Sequence, residues 1–230
     1  MRHDTRGTIK VIVTDIDGTL TSKEFGLNLN VITVLQRIEK EKKIPIIFAS
    51  GAVFPIVYGL TYYFKFTGPI IAENGGILCY QRNIYTFSNR ERVNKAYEEL
   101  QKHLSVKKLF TDIWRTTELA LEPNVDIEKI KEVLKNWDLR IETTGYAHHI
   151  TEKHVTKYNT LLKALELINV DIKNVLAIGD SENDIDMINN AGIGTCVQNA
   201  DDRVKKVAKY IATKENGEGV IEILKKFGVI

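Results

Sequence analysis

Asp15-Ile16-Asp17-Gly18-Thr19 sets two carboxylates two residues apart directly behind the apolar run Val11-Ile12-Val13-Thr14. In extended chain, residues i and i+2 point to the same side. Like charges this close raise one another's pKa unless a cation or a proton intervenes, and a divalent metal is the simplest remedy. A second apolar run, Val175-Leu176-Ala177-Ile178, stops at Gly179-Asp180-Ser181-Glu182-Asn183-Asp184. Two acidic strand ends suggest one metal site.

The hydrophobic pattern gives the elements that must carry these acids. Residues 9–14, 44–49 and 70–72 read as strands, and 29–42 and 53–63 as helices. The strands are continuous apolar runs, as expected for a parallel sheet covered by helices on both faces. This is an α/β, Rossmann-like doubly wound core, in which functional groups belong at the carboxyl ends of strands, where Asp15, Ser50 and Asp180 fall. Glu73-Asn74-Gly75-Gly76 reads as a sharp turn that needs positive φ. Over residues 83–152 the pattern becomes helix 91–103, strands near 109–111 and 118–122, helix 127–136, and strands 140–143 and 147–151, a self-contained α+β unit. Alternation resumes with helix 157–168 and strand 174–178. The expected division is therefore a core of residues 1–82 and 153–230, interrupted by a small unit of residues 83–152.

The acidic motifs resemble those of the haloacid dehalogenase superfamily of phosphatases, whose first motif is Asp-x-Asp-Gly-Thr and whose fourth is Gly-Asp-x-x-x-Asp. Ser50-Gly51 after the second core strand looks like the second motif, and Lys157 before an amphipathic segment looks like the third. Order along the chain strengthens these two weaker matches. The resemblance implies a type 2 cap for the inserted unit. Phe87-Ser88-Asn89, Trp114-Arg115 and Gly145-Tyr146-Ala147-His148-His149 look like cap segments of archaeal phosphoglycolate phosphatases.

By that resemblance Asp15 attacks phosphorus to form an aspartyl-phosphate, splitting one hard displacement into two easier ones. Asp17 then serves as general acid to the leaving group and as general base to water. The implied ion is magnesium, because carboxylates, a carbonyl, a phosphate oxygen and waters form a hard oxygen shell. Asp15 and Asp180 supply carboxylates, Asp17 its main-chain carbonyl, and Asp184 a further carboxylate that binds the ion directly or through water. Ser50, Gly51, Lys157 and Asn183 face the phosphoryl group, and Asn183 with Ser181 also orients the shell of the ion. Arg115 is the expected reader of a substrate carboxylate, since its planar fork matches one. His149 is a second candidate, and along an extended strand only one of His148 and His149 can face the cleft. Ala52 stands where these phosphatases commonly carry Asn or Arg, so one contact to phosphate or substrate is missing.

Bulk properties narrow the partners. The 230 residues are 43% hydrophobic, enough to bury a core, and Lys+Arg 32 against Asp+Glu 30 leaves a formal charge of +2. That balance gives no electrostatic case for nucleic acid or a membrane surface. No apolar run approaches spanning length, and two cysteines without Cys-x-x-Cys spacing fit a reducing cytoplasm. The expectation is a cytoplasmic monomer or homodimer that hydrolyses a small phosphorylated metabolite, 2-phosphoglycolate first. A sugar phosphatase of the Cof type or a phosphomutase is the alternative within the superfamily, and a non-catalytic binding module the alternative outside it.

Overall fold

The computed structural model describes residues 9–22, 24, 26–144 and 146–230. In chain order the first elements are β1 (Val11–Thr14), a small hairpin β2 (Thr21–Ser22) and β3 (Gly26–Leu27), α1 (Leu29–Lys42), β4 (Ile46–Ala49), α2 (Phe54–Phe64) and β5 (Ile70–Ala72). They continue with β6 (Ile77–Tyr80), β7 (Asn83–Thr86), α3 (Arg90–His103), β8 (Leu119–Leu121), α4 (Ile127–Val133), β9 (Leu139–Thr143) and β10 (His148–Glu152). The chain closes with α5 (Lys157–Ile168), β11 (Val175–Gly179), α6 (Ile185–Asn190), β12 (Ile193–Cys196), α7 (Asp202–Val207), β13 (Tyr210–Ile211) and α8 (Asn216–Lys226).

The large sheet has the order β13-β12-β11-β1-β4-β5-β6-β7, parallel from β13 to β5. Its central strand shows why the apolar runs are continuous. Ile12 packs with Val31, Leu35, Val220 and Ile223 from α1 and α8, whereas Val11 and Val13 pack with Leu161, Leu165 and Met187 from α5 and α6. Both faces of the strand are buried, and its one polar residue, Thr14, satisfies its hydroxyl on the Asp15 carbonyl. The helix α1 forms where the sequence starts it: Asn28 accepts from the amides of Asn30 and Val31, and Val31, Ile32, Leu35 and Ile38 make its buried stripe.

Two features differ from the sequence-based expectation. After β5 the sheet continues through an antiparallel hairpin, β6 and β7, which the short apolar run Ile77–Tyr80 did not disclose. Its turn uses Gln81 and Arg82 at φ 49° and 67°, without the glycine that marks such turns in sequence. The chain therefore leaves the large sheet after Thr86, and the expected boundary at residues 82 and 83 falls within this hairpin. Secondly, no strand forms at residues 109–111. Phe110–Trp114 is a 3₁₀ turn, held because the Asp112 carboxylate accepts from the Ala120 amide at 2.9 Å and from Arg90 at 2.7 Å. The inserted sheet thus has three antiparallel strands, β8-β10-β9, packed by Val93 and Leu100 from α3, Ile130 from α4 and Leu134 just after it.

Candidate active site

Pairing of β1 with β11 in register, Thr14 opposite Ile178, makes the next residues of both strands emerge side by side. Asp15 follows one strand and Asp180 the other. Gly18 completes the turn at φ 84°, and a Cβ there would run into the Asp180 carboxylate, so glycine answers both a backbone and a space requirement. Thr19 Oγ1 donates to Asp180 Oδ1 at 2.8 Å, tying the two loops together.

Lys157 comes from the far side of the inserted unit. Thr156 caps α5 by accepting from the Asn159 amide, which fixes Lys157 as the first helical residue. Its side chain, 1% exposed, donates to Asp15 Oδ1 at 2.6 Å and to Asp184 Oδ1 at 2.8 Å. Burial alone would lower the lysine pKa, but Asp15 and Asp184 raise it, so it stays charged. Asp184 Oδ2 accepts from the amides of Asp180 and Ser181 at 3.0 and 3.2 Å.

One carboxylate oxygen from each of Asp15, Asp180 and Asp184 lies within 4.8 Å of the others. Desolvation pushes Asp15 well above the usual carboxylate range; Lys157 opposes this, and Asp184, Asp180 and Asp17 add to it. Asp180 is pushed up to about 6, again by desolvation and then by Asp184. Three carboxyl groups around one lysine are electrostatically incomplete, and a divalent cation would supply what is lacking. Asn183 Oδ1 is in addition buried without a partner among the described residues, an acceptor left for donors that enter the site. The donor set is all oxygen, and it fits a hard cation.

Asp17 opens onto the cleft. Desolvation by the cleft walls nevertheless raises its pKa, with Lys157, His149 and the Ser50 hydroxyl opposing. Ser50, fully buried after β4, accepts from the Ala52 amide at 2.9 Å through Oγ and turns its hydroxyl proton to the Asp17 carboxylate. Gly51 approaches Asn74 so closely that an added Cβ would lie 2.9 Å from Asn74 Oδ1. Ala52 packs at the margin of the core and offers no polar atom from its side chain.

From the inserted unit, Arg115, Tyr146 and His149 line the same cleft of about 1120 Å³ as Asp15, Asp17 and Asp180. Gly145 lies outside the described residues. Strand alternation in β10 separates the two histidines: His148 bonds Thr143 Oγ1 and the Val125 carbonyl on the far side, and His149 faces the cleft. Trp114 packs edge-on against Phe110 while Arg115 turns inward. Arg115 is not free: Nη1 donates to the Gly51 carbonyl at 2.9 Å and is ion-paired with Glu118. Burial lowers its pKa to about 10, so it remains a cation at neutral pH. Its Nε has no partner among the described residues.

Sequence reasoning missed a set of buried polar residues beneath this cleft. Glu73, Asn74 and Glu118 are at most 3% exposed. Glu73 accepts from the amides of Thr116 and Thr117 and from Thr117 Oγ1, at 3.0, 2.9 and 2.6 Å. Asn74 donates to Glu118 and accepts from Asn183. The turn expected at 73–76 is present, with Glu73, Asn74 and Gly75 at φ 50°, 54° and 101°, and its strain is offset by this seat for the inserted unit. A Glu and an Asn at positive φ before two glycines were the only local signal; their partners lie more than 40 residues away.

Asp15, a buried lysine and an acidic pair at the carboxyl edge of a parallel sheet fit the chemistry of a phosphoryl-transfer hydrolase, and the chain belongs to the haloacid dehalogenase-like hydrolase family, whose profile matches residues 12–136 and 115–224. The enzyme is a phosphatase. It is 33% identical to the phosphoglycolate phosphatase of Methanothermobacter thermautotrophicus, over 95% of this chain and 99% of that one. It is 36% identical to the protein of the same name from Methanopyrus kandleri, over 94% and 96%. Among solved structures it is similar to Thermoplasma acidophilum 0175, with a TM-score of 0.90, 28% identity, and coverage of 97% and 100%. Among the described residues no helix is long and apolar enough to cross a membrane.

Proposed function

We propose that the protein is a magnesium-dependent phosphatase that hydrolyses 2-phosphoglycolate to glycolate and phosphate through an aspartyl-phosphate on Asp15. The observation that carries the reaction is the position of Lys157, whose ammonium lies 2.6 Å from Asp15 and 2.8 Å from Asp184. It fixes one Asp15 oxygen and leaves Oδ2 without a hydrogen bond from the described residues, free to attack. Asp15, Asp180 and Asp184, with the Asp17 carbonyl, would hold the cation, which when bound neutralises phosphoryl and carboxylate charge.

The remaining roles follow from the side chains. Ser50 donates its hydroxyl proton, and Lys157 adds positive charge beside the transferring group. A raised pKa suits Asp17 to hold the proton that the leaving alkoxide needs, and as a carboxylate it then takes one from water. The inserted unit covers the cleft and restricts substrates to small esters.

The substrate reading is supported by the relatives named phosphoglycolate phosphatase, which match nearly the whole chain, and by a cation in the cleft wall. Arg115 keeps Nε without a partner among the described residues, a donor that a glycolate carboxylate would take. A panel of phosphorylated two- and three-carbon acids against hexose phosphates tests this reading. 2-Phosphoglycolate should give the highest kcat/KM, and Arg115→Ala should lower that value about 10- to 100-fold while sparing an aryl phosphate. Preference for a hexose phosphate would establish the Cof-type alternative, and an isomerised phosphate ester as product would establish a mutase.

A further inference from the structure

Glu118 and Asn74 are buried side chains to which the reaction above gives no part. They join Arg115, His149 and Asn183 in one hydrogen-bonded chain from the inserted unit to the loop of Asp180 and Asp184. Arg115 Nη1 and His149 Nδ1 meet Glu118 Oε1, the latter at 3.3 Å. Asn74 Nδ2 donates to Glu118 Oε2 at 2.8 Å, and Asn183 Nδ2 donates to Asn74 Oδ1 at 2.8 Å. Each bond forces the direction of the next. A carboxylate accepts and cannot donate, so Asn74 turns its NH₂ to Glu118 and its oxygen to Asn183. Asn183 must then spend its NH₂ on Asn74, which leaves Oδ1 buried and without a partner among the described residues, in a residue that lines the cleft with Asp180.

We propose that Glu118 is a positioning residue for the cation site: its carboxylate sets the polarity of this chain, so that Asn183 presents an acceptor oxygen to the water shell of the divalent cation. This deepens the metal-dependent reading above and rests on it for the identity of the ligand. An amide oxygen at that place accepts from cation-bound water and repels a phosphoryl oxygen, so of the two roles expected of Asn183 it serves the metal side of the site and not the phosphate. The same carboxylate holds His149 with its proton on Nδ1, and so ties the seat of the inserted unit to the metal loop.

Glu118→Gln keeps the shape and reverses the chain. The introduced amide gives its oxygen to Arg115 and His149 and its NH₂ to Asn74; Asn74 and Asn183 then flip, and Asn183 turns hydrogens toward the cation. Magnesium affinity, measured by titration calorimetry on the metal-free protein without substrate, should fall at least about tenfold, as for other partners just outside a coordination sphere. Asn74→Asp on that background supplies an acceptor to both neighbours at the wild-type net charge. It should return the affinity to within about threefold and raise Tm.

In the otherwise wild-type protein the same Asn74→Asp places two carboxylates face to face; it should lower Tm and leave magnesium affinity no better. Opposite signs on the two backgrounds are the mark of bond polarity, because a mere packing role gives one sign on both. Glu118→Gln binding magnesium like the wild type, or Asn74→Asp acting alike on both backgrounds, would overturn the proposal. If Glu118→Gln does not fold, the double variant is required to fold, and its failure overturns the proposal equally. A wild-type protein that turns over another phosphate ester in place of 2-phosphoglycolate refutes only the substrate reading, since these measurements involve no turnover.

Discussion

Lys157→Met removes the positive charge at the centre of the site while keeping most of the side-chain volume. At 2.6 and 2.8 Å and an effective dielectric of about 20, each lysine–carboxylate attraction is about 6 kcal/mol before desolvation is charged against it. The three carboxylates that remain, with oxygens within 4.8 Å, repel by about 3.5 kcal/mol per pair at the same dielectric. The full sum is never realised, because the site can take up a proton in place of the ammonium; Asp15 is already raised and Asp180 already near 6. The expected loss is therefore about 3–5 kcal/mol in metal-free buffer at pH 8, the range for breaking a buried pair from one side. At pH 5 the raised Asp15 and Asp180 take up protons and the loss should shrink by half or more, and magnesium at pH 8 should recover part of it. Urea denaturation at both pH values, with and without magnesium, measures all three. An equal loss at pH 5 and pH 8 would refute the electrostatic reasoning and make Lys157 a packing residue.

Asp15→Asn should lower kcat at least about 1000-fold, since it deletes the nucleophile, and should leave the metal-free protein no less stable, which rapid-quench assay for phosphoenzyme and thermal denaturation together check. The metal-free protein should itself lose stability as pH rises from about 4 to about 6. Asp180, raised from 3.8 to about 6, holds its proton longer folded than unfolded, so stability falls over that window, by up to about 3 kcal/mol. A metal-free denaturation series that instead gained stability over this range would contradict the raised carboxyls. A chelator should abolish turnover and added magnesium restore it; full activity in metal-free buffer would dispose of the cation site. Glu73→Ala orphans the Thr116 and Thr117 amides and should cost about 2–3 kcal/mol. Faster hydrogen exchange at those two amides would locate the loss at the seat of the inserted unit.

The chemistry of the core was legible in sequence because it depends on local order. A carboxylate at a strand end needs only an apolar run, a turn glycine and the neighbouring acid to be recognised, and Asp15-Ile16-Asp17-Gly18-Thr19 and Gly179–Asp184, each directly behind an apolar run, carry glycine and acids within six residues. The helix α1 was likewise readable to its ends, since Asn28 and the stripe Val31, Ile32, Leu35, Ile38 are local signals. The hairpin β6–β7 was not, because Gln81 and Arg82 take positive φ under the demand of strand pairing and not by their own preference. Nor was the 3₁₀ turn at Phe110–Trp114, which exists because Asp112 finds Ala120 and Arg90 in space.

Arg115 shows the division most clearly. Residue type and neighbourhood marked it as a candidate anion reader, but only the tertiary structure brings Glu118 and the Gly51 carbonyl to its Nη1. Which of its donors remain for a substrate is decided by partners as far as 64 positions away in the chain. The sequence determined which residues could do phosphoryl transfer, because that chemistry is written in side-chain types at fixed local spacing. The tertiary structure decided which of those groups are already paired, because burial makes every polar atom seek a partner wherever the fold brings one within reach.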